Sequence, residues 1–216
     1  MNKIENSQKV LNLMYYKMFK TVFEKNINIL AKIIQVILNE NDKTINLKRA
    51  KIISKENSSY LLQFTTQNKE TELVVYVDYI VYPDTSKLSY TYSFDIQSEK
   101  QDYQISLNNF PNLNKEIINE FYLMKKNSKT NVLSKEYPMI QVDVKKCYEN
   151  FKNKKDISLL SSLERLVACL YTNSLAEISR LLGNDFFPSI EKEKFINDII
   201  TSSEEEIMIL QKQIEK

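Results

Sequence analysis

The stretch LVVYVDYIVYPDTSKLSYTYSFDIQ, residues 73–97, decides the fold class of this chain. Residues 73–82 are almost all β-branched, aromatic or aliphatic, which is typical of a strand that is covered on both faces. Pro83 and Asp84 begin a turn, and residues 88–97 then alternate apolar and polar side chains, which is typical of a strand with one buried face. We therefore predict a β-hairpin, with Asp78 as the charged residue of its first strand.

Two amphipathic helices are predicted before this hairpin, because apolar residues recur at helical spacing from residue 7 to 25 and again from 27 to 37. Asn26 can cap the second helix. After residue 45 the period changes from near four to two. Strands are then predicted at 45–53, 60–66, 72–82, 87–97 and 103–107, with a further hairpin at 120–124 and 139–144.

The pattern is helical again after residue 145. Asp156 is expected to cap a helix over 159–171, and Ser174 with Glu177 forms a capping box for a helix over 175–182 that ends at Gly183. Pro188 opens another helix, and Ser203 with Glu206 is expected to start a last one at 204–214. The sequence therefore predicts an α+β fold, with a sheet-bearing domain over 1–144 and an α-helical C-terminal region over 145–216.

Missing residue types exclude several classes of chemistry. The chain has no histidine, so serine and cysteine triads with histidine and HExxH zinc sites are excluded. Its one glycine, Gly183, rules out Walker and GxGxxG loops, which need several glycines to bring backbone amides to phosphate. Any hydrolysis would have to depend on carboxylates, lysine, tyrosine or a metal with oxygen ligands.

Cysteine content and hydropathy favour a cytoplasmic protein. Cys147 and Cys169 are the two cysteines, which suits reduced thiols better than a disulfide framework. Lysines interrupt the apolar residues at the N-terminus, so no signal peptide is predicted. The longest apolar run, 29–38, is too short to span a bilayer. With Lys plus Arg at 30 and Asp plus Glu at 28, net charge does not indicate a partner, and local patches must do so.

The order of these segments resembles the recombination-promoting nuclease and transposase-like group of the PD-(D/E)XK nuclease superfamily. Residues 18–41, MFKTVFEKNINILAKIIQVILNEN, follow that group's first helix, Asn-rich turn and second helix. QISLNNF at 104–110 is similar to its QINLNNF strand, and YPMIQVDVKKCY at 137–148 and LLGND at 181–185 are similar to later segments. The resemblance covers almost the whole chain and implies a mixed sheet with N-terminal helices, a DNA substrate or partner, and a mobile-element or phage setting.

The resemblance implies a Mg²⁺ site, which can be placed in two registers. Family members carry Leu-Asp-Ile at one strand end and Ile-Glu-x-Gln on the next strand, where the acids hold Mg²⁺ that activates water. In the first register, residues 62–64 and 75–78 fill these positions and both acids are substituted. In the second register, Asp78 and Asp95 are the metal ligands and catalytic acids, and Gln97 orients the site in place of the usual lysine.

The second register also has a physical basis. Asp95 and Gln97 share one face of a strand, and a hairpin partner would bring Asp78 close to them. Glu24 is a candidate fourth ligand. The alternative is that residues 89–97 turn their polar face to water and that Asp78 is a buried, hydrogen-bonded acid. The substituted acids of the first register favour weakened or lost activity.

Two lysine clusters are candidate contacts for DNA phosphates, which lysines bind without sequence preference and with strong dependence on salt. Nearby aromatic residues, Tyr122, Tyr148 and Phe151, could stack on bases. The alternative is that these lysines are solvated and the aromatics belong to the core. The first cluster is Lys125, Lys126 and Lys129, and the second contains Lys145, Lys146, Lys152, Lys154 and Lys155.

Three interpretations of function stay open at this point. The chain is a Mg²⁺-dependent DNA endonuclease, or a nuclease-derived interaction protein that binds a protein partner or a second copy of itself, or a structural protein of a virus or plasmid. None of them requires a membrane.

Overall fold

A computed structural model describes residues 9–41, 47–56, 59–66, 72–80, 103–108, 116–124, 132–154 and 156–214. In these ranges the chain is α+β, with six α-helices and a mixed sheet of six strands. It divides into two compact units, which we call the helical unit (Met1–Thr44 and Val144–Lys216) and the sheet unit (Ile45–Asp143).

The elements follow one another in the order helices, strands, helices. They are α1 (Tyr16–Lys25), α2 (Ile27–Asn41), β1 (Leu47–Glu56), β2 (Ser59–Thr66), β3 (Glu72–Ile80), β4 (Tyr103–Asn108), β5 (Ile118–Met124), β6 (Val132–Asp143), α3 (Val144–Asn153), α4 (Ser162–Ala168), α5 (Leu175–Leu182) and α6 (Ser189–Ile214). A 3₁₀ turn, Ile157–Leu159, precedes α4.

The strand order in the sheet is β1-β2-β3-β4-β6-β5. β1, β2 and β3 form an antiparallel run, β4 lies parallel between β3 and β6, and β5 returns antiparallel beside β6. Parallel neighbours need a crossover connection, so β3 and β4 are not the two arms of a hairpin.

The predicted hairpin of residues 73–97 is wrong in its pairing. β3 pairs with β2 along one edge, where Asp78 is opposite Ser59, and with β4 along the other, where Asp78 is opposite Ser106. A strand has two edges, so both edges of β3 at Asp78 are occupied by β2 and β4. Residues 87–97 themselves lie outside the described ranges. Local alternation predicts residues 87–97 as the partner of β3. The partners that the structure shows are β2 and β4, and β4 comes after residues 87–97 in the chain.

Alternation on β4 and β6 gives the sheet two different faces. Ile105, Leu107, Ile140 and Val142 are fully buried and apolar. The residues between them are polar and also buried. Because side chains of a strand alternate between faces, these polar residues share the face opposite to the apolar one.

The core of the helical unit is aromatic and aliphatic. Phe19 and Phe23 pack with ring centroids 4.7 Å apart, and Phe23 lies 5.9 Å from Phe195 of α6. The predicted start of the first helix near residue 7 is wrong, because α1 begins at Tyr16. The preceding segment is hydrogen-bonded to the link between α4 and α5, where the Val10 N–H donates to the Asn173 carbonyl at 2.9 Å.

Capping fixes the starts of α4 and α5. Ser161 and Glu164 form a reciprocal capping box at α4, which was not predicted. Asp156 caps the 3₁₀ turn rather than the helix over 159–171 that was predicted. Of the capping box predicted for Ser174 and Glu177, the Ser174 side chain accepts from the Glu177 N–H, but the Ser174 N–H donates to Thr172 Oγ1. Gly183 follows α5 with φ 56°.

The two helices predicted after Pro188 are one continuous helix, α6. Ser203 and Glu206 lie inside it and face α1. The Leu11 N–H donates to Ser203 Oγ at 3.1 Å, and Lys17 Nζ donates to Glu206 Oε1 at 2.8 Å. The pattern of a capping box therefore came from two polar residues that are buried in a tertiary contact.

The boundary between strand and helix falls at Asp143 and Val144, next to the domain boundary predicted at residue 144. The N-terminal helices join the C-terminal helices in one unit, as α1 contacts α6 and α2 contacts α4. The division into a nuclease-like domain and a tail stays a prediction. Among the helices that the structure describes, none has the length and apolar content needed to cross a membrane.

Candidate functional site

The strongest candidate site in the sheet unit is a set of buried polar side chains on β4, β5 and β6, which we call the polar face. Its members are Ser106, Asn108, Asn119, Gln141 and Asp143, each at most 7% exposed. Polar groups at this depth need partners, because an unpaired buried donor costs about 1–3 kcal/mol. Five of them together therefore require an explanation.

Strand register explains how residues far apart in sequence come together. Ser106 lies opposite Gln141 and Asn108 lies opposite Asp143 in the parallel pair of β4 and β6. Asn119 lies opposite Gln141 on the other side of β6. Residues opposite one another share a face of the sheet, so these side chains form one continuous patch.

The patch lies at a position where open sheets commonly bind ligands. β3, β4 and β6 are mutually parallel, and Asn108 and Asp143 are the last residues of their strands. Carboxyl ends of parallel strands meet at one edge of a sheet, and ligands of α/β sheets bind beyond that edge.

Hydrogen bonding within the polar face is incomplete. Ser106 Oγ donates to Asn108 Oδ1 at 3.1 Å. The side-chain amide nitrogens of Asn108 and Asn119 are buried and have no hydrogen-bond partner among the residues that the structure describes. Buried amide N–H groups of this kind bind an ordered water or an oxygen atom of a ligand.

The side chains of the polar face are suited to hydrogen bonding more than to acid–base catalysis. It carries one carboxylate, Asp143, among three amides and one hydroxyl. The described part of the chain contains no group of three or more Asp, Glu, Cys or His side chains that could hold a metal ion. On its own, the polar face therefore offers a divalent cation a single carboxylate, that of Asp143.

The residues predicted for the metal site are only partly described. Asp78 lies in β3, and its register position adjoins Ser106 of the polar face. Asp95 and Gln97 lie outside the described residues. Glu24 is half-buried on α1. In the first register, residues 62–64 of β2 and 75–78 of β3 lie on neighbouring antiparallel strands, with Leu62 opposite Val75.

The lysines predicted to contact DNA fall into three groups. Lys125, Lys126, Lys129 and Lys155 lie outside the described residues. Lys145 and Lys146 begin α3, and Lys145 Nζ lies 3.8 Å from the Glu149 carboxylate, a loose pair in which both side chains are about half exposed. Ion pairs of this type contribute little and leave the lysine able to exchange partners.

Lys152 and Lys154, the other described lysines of that cluster, are structural. Lys152 Nζ donates to Glu177 Oε1 at 2.7 Å, and Lys154 Nζ lies 3.3 Å from Glu164 Oε1. Tyr148 and Phe151, which were candidates for stacking on bases, also make contacts inside the protein. Tyr148 donates to Glu177 Oε2 at 3.1 Å, and Phe151 is 4% exposed.

Glu177 is the centre of a hydrogen-bond network, although its sequence pattern predicted only a capping residue. Burial raises the pKa of its carboxyl, but hydrogen bonds from Lys152, Thr172 and Tyr148 outweigh that effect, so the pKa is lowered overall. Thr172 Oγ1 donates to Glu177 Oε2 at 2.6 Å. The packing of α3 and of the link after α4 against α5 therefore depends on this one negative charge.

Glu164, in α4, is the centre of a second hydrogen-bond network. Burial raises the pKa of its carboxyl, and hydrogen bonds from the Ser161 backbone, Asn150 and Lys154 lower it further than burial raises it. Asn150 Nδ2 donates to Glu164 Oε1 at 2.8 Å. Both carboxylates are thus fixed in internal networks that hold α3 against α4 and α5.

The polar face itself left a signal in the sequence. Ser106 and Asn108, and likewise Gln141 and Asp143, are polar residues spaced by two among aliphatic neighbours. Such alternation normally indicates a solvated face. That the face is buried instead depends on tertiary packing, which alternation does not encode.

Comparison of the chain with protein-family models, with curated proteins and with solved structures finds no match.

Proposed function

We propose that this chain is a PD-(D/E)XK nuclease-like protein of a mobile element or phage, and that it acts on or binds DNA with weakened or lost metal-dependent phosphodiesterase activity. The proposal comes from the sequence resemblance. The order of elements along the chain supports it.

The observation that carries the proposal is the succession of elements over the segments of the resemblance. Residues 18–41 form α1 and α2, residues 104–108 lie in β4, and residues 137–148 run from β6 into α3. The resemblance implies N-terminal helices, a mixed sheet, a later hairpin and C-terminal helices. β5 and β6 supply the hairpin, and β1–β4 supply the mixed sheet before it.

The pairing of β3 supports the loss of hydrolysis. Asp78 adjoins Ser59 and Ser106 on its two sides, so no acid lies directly opposite it on either neighbouring strand. In the first register the family's two acids are replaced, and Mg²⁺ would lack the pair of carboxylates that it needs. If hydrolysis persists, Asp78 and Asp95 would be its metal ligands.

Two assays on the same preparation test the proposal. In gel retardation, we expect the chain to bind duplex DNA without sequence preference and to lose affinity steeply as salt increases. Lys145→Ala with Lys146→Ala should reduce both the affinity and the salt slope, by about 0.9 in slope for each phosphate that is no longer neutralised. Lys212→Ala, in the exposed last turn of α6, is the matched control and should change neither.

In the second assay, plasmid is incubated with Mg²⁺ or Mn²⁺. We expect nicking by the unaltered chain to be no faster than nicking by Asp78→Ala. Rapid nicking that Asp78→Ala abolishes would show that metal chemistry is retained. Absence of retardation at low salt would contradict DNA binding altogether.

A second candidate function is a nuclease-derived interaction protein, and the end of α6 favours it. Ile207, Met208, Ile209 and Ile214 are exposed beyond the last buried residue of the helix, Glu206. Clustered exposed apolar residues mark interaction surfaces more often than isolated ones do.

This candidate predicts a result opposite to the first. DNA would not be retarded, and a defined protein would co-purify with the unaltered chain but not with an Ile207→Lys, Ile214→Lys variant. Retention of that protein by the variant would exclude α6 as the contact.

A further inference from the structure

The last two turns of α6 carry apolar side chains on every side. Ile207, Met208, Ile209 and Leu210 follow one another, and successive residues of a helix point about 100° apart, so these four side chains face four directions. Ile207, Met208 and Ile209 are 37%, 56% and 44% exposed. Packing within the chain therefore leaves three of the four directions largely open.

Charged residues lie at both ends of this apolar segment. Glu204 and Glu205 precede it and Lys212 follows it, and all three are exposed. Among the residues that the structure describes, none of the three side chains has an ion-pair or hydrogen-bond partner. Negative charge therefore stands at one end of the segment and positive charge at the other, and both are available to another molecule.

Glu204, Met208 and Lys212 lie in one line along the helix, because residues four apart share a face. We call these three residues and Glu205 the α6 patch. Nine residues are about two and a half turns, so Met208 lies on the opposite side of α6 from Ile199, which is fully buried. The α6 patch therefore faces away from the core of the helical unit.

The order of charges makes the α6 patch complementary to a second copy of itself. When two such helices pack antiparallel with Met208 against Met208, Glu204 of each copy lies opposite Lys212 of the other, because both residues are equally far from Met208. Glu205 adjoins the same lysine. Parallel packing would instead place Glu204 against Glu204, and like charges in contact are unfavourable.

Apolar side chains border the α6 patch on both sides. Ile207 and Ile209 point about 100° to either side of Met208. A second helix that lies on Met208 partly covers both of them, and removal of apolar surface from water favours association. Methionine is flexible and adapts its shape to an opposing side chain.

We propose that the α6 patch is a contact between two copies of this chain, in which the ends of two α6 helices pack antiparallel across Met208. The patch is about 12 Å long at about 1.5 Å per residue. A contact of this length buries less than the roughly 800 Å² per partner of a standard interface. The dimer is therefore weak and forms only at protein concentrations above those of a gel-retardation assay.

The proposal rests on the second candidate function, that of an interaction protein, and names the partner as the chain itself. It is independent of DNA binding, which depends on other residues. If two copies do not associate, co-purification of a different protein still tests that candidate function separately.

Sedimentation velocity of the full chain from about 10 μM to about 1 mM at low salt tests the proposal. We expect the average mass to rise toward that of a dimer over this range. Lys212→Glu, and separately Glu204→Lys with Glu205→Lys, should each weaken association about tenfold or more, because both place like charges opposite one another. An equimolar mixture of these two variants should restore association, because opposite charges then meet between the two chains.

Glu193→Lys is the matched control. Glu193 is also an exposed acid of α6, but it lies about 16 Å before Glu204 along the helix. Its substitution should leave association within about twofold.

Cysteine substitution distinguishes antiparallel from parallel packing. Antiparallel packing places the two copies of residue 208 together, whereas the two copies of residue 214 are about 18 Å apart along the helices. A disulfide requires Cα atoms within about 7 Å. Oxidation should therefore link Met208→Cys into a dimer and leave Ile214→Cys monomeric. Cys147 and Cys169 are buried and do not compete with the introduced thiol.

Any of three results would overturn the proposal. They are a monomeric mass up to about 1 mM, a mixture of the two charge variants that associates no better than either variant alone, and equal cross-linking of Met208→Cys and Ile214→Cys. DNA retardation is measured separately, so none of these results bears on DNA binding.

Discussion

Single residues in the helical unit show how buried charge can be stabilising. Glu164 and Glu177 are each satisfied by several donors, and each holds α3 to a following helix. Hydrogen bonds to the ionised form lower the pKa of both carboxyls despite burial. The stability they contribute must therefore depend on pH.

We expect the free energy of unfolding to decrease in acid because of these two groups. Their folded-state pKa values lie below the ordinary 4.5, so their stabilisation is complete above that pH and is lost as the pH falls through the folded pKa. Urea denaturation from about pH 6 to about pH 3 measures this effect. Glu177→Gln should be less stable at neutral pH and should show a flatter profile below about pH 5. Glu191→Gln, whose carboxyl is absent from these networks, is the control, and an equally flattened profile in it would contradict the assignment.

The two cysteines are predicted to be chemically inert in the folded protein. Cys147 and Cys169 are buried thiols that form no disulfide, and burial raises the pKa of Cys169 to about 12. The thiolate is the reactive species, so labelling requires opening of the structure. A chromogenic disulfide reagent should label both thiols at the rate of unfolding in water and at once in denaturant. Rapid labelling of native protein would show that one thiol is accessible.

At the scale of elements, the link after α5 depends on its one glycine. Gly183 has φ 56° and ψ −154°, a region that L-residues avoid, and a Cβ there would meet the Arg165 guanidinium. That guanidinium donates to the Leu181 carbonyl and to Asp185, which closes the turn.

Gly183→Ala should lower the free energy of unfolding by about 1–3 kcal/mol. Thermal or urea denaturation measures the loss. Repeating the substitution in an Arg165→Ala background removes the side-chain clash, so the part of the loss that remains is the backbone strain. No loss in either background would contradict a requirement for glycine.

Local sequence signals predict a helix or strand correctly where the interactions that form it lie within the same segment. The predicted 175–182 helix coincides with α5 because Ser174, Glu177 and Gly183 act within that segment. Local sequence signals gave a wrong prediction where contacts with residues far away in the sequence determine the structure. Ser203 and Glu206 matched a capping box, yet they lie inside α6 because their polar atoms serve Leu11, Tyr15 and Lys17 of the N-terminal segment.

The same limit applies to the candidate site. Ser106 and Asn108 alternate with aliphatic residues, but this alternation does not show that β4 lies between β3 and β6. Parallel pairing joins residues that are far apart in sequence and carries no short-range signature. The hairpin expected at 73–97 was therefore the simplest interpretation of the pattern, and its pairing was wrong.

At the scale of the whole molecule, α6 combines a core half and an exposed half. Phe195 and Ile199 are fully buried, whereas Ile209 and Ile214 are 44% and 84% exposed. Apolar residues occur on both sides of the polar stretch 201–206, so sequence alone does not show where burial stops. The packing of α6 against α1 and α5 determines which part of the helix is buried.

This contrast gives a paired prediction. Phe195→Ala should cost about 3–5 kcal/mol of stability, because it opens a large cavity in the core. Ile214→Gln should change stability by less than about 0.5 kcal/mol, because the side chain is already in water. Urea denaturation of both variants measures the difference. A large loss in Ile214→Gln would mean that the end of α6 is covered in solution.

Both ends of the described chain build the helical unit, while the sheet unit is one uninterrupted segment. During synthesis the whole of the sheet sequence leaves the ribosome before α3 to α6 exist, since domains form as their residues emerge. α1 must wait for partners such as Phe195, which packs on Phe23, and Ser203, which hydrogen-bonds Met18, both made more than 150 residues later. Until then the apolar side chains that α1 buries in the folded protein lack those partners, so we expect a nascent chain to expose them.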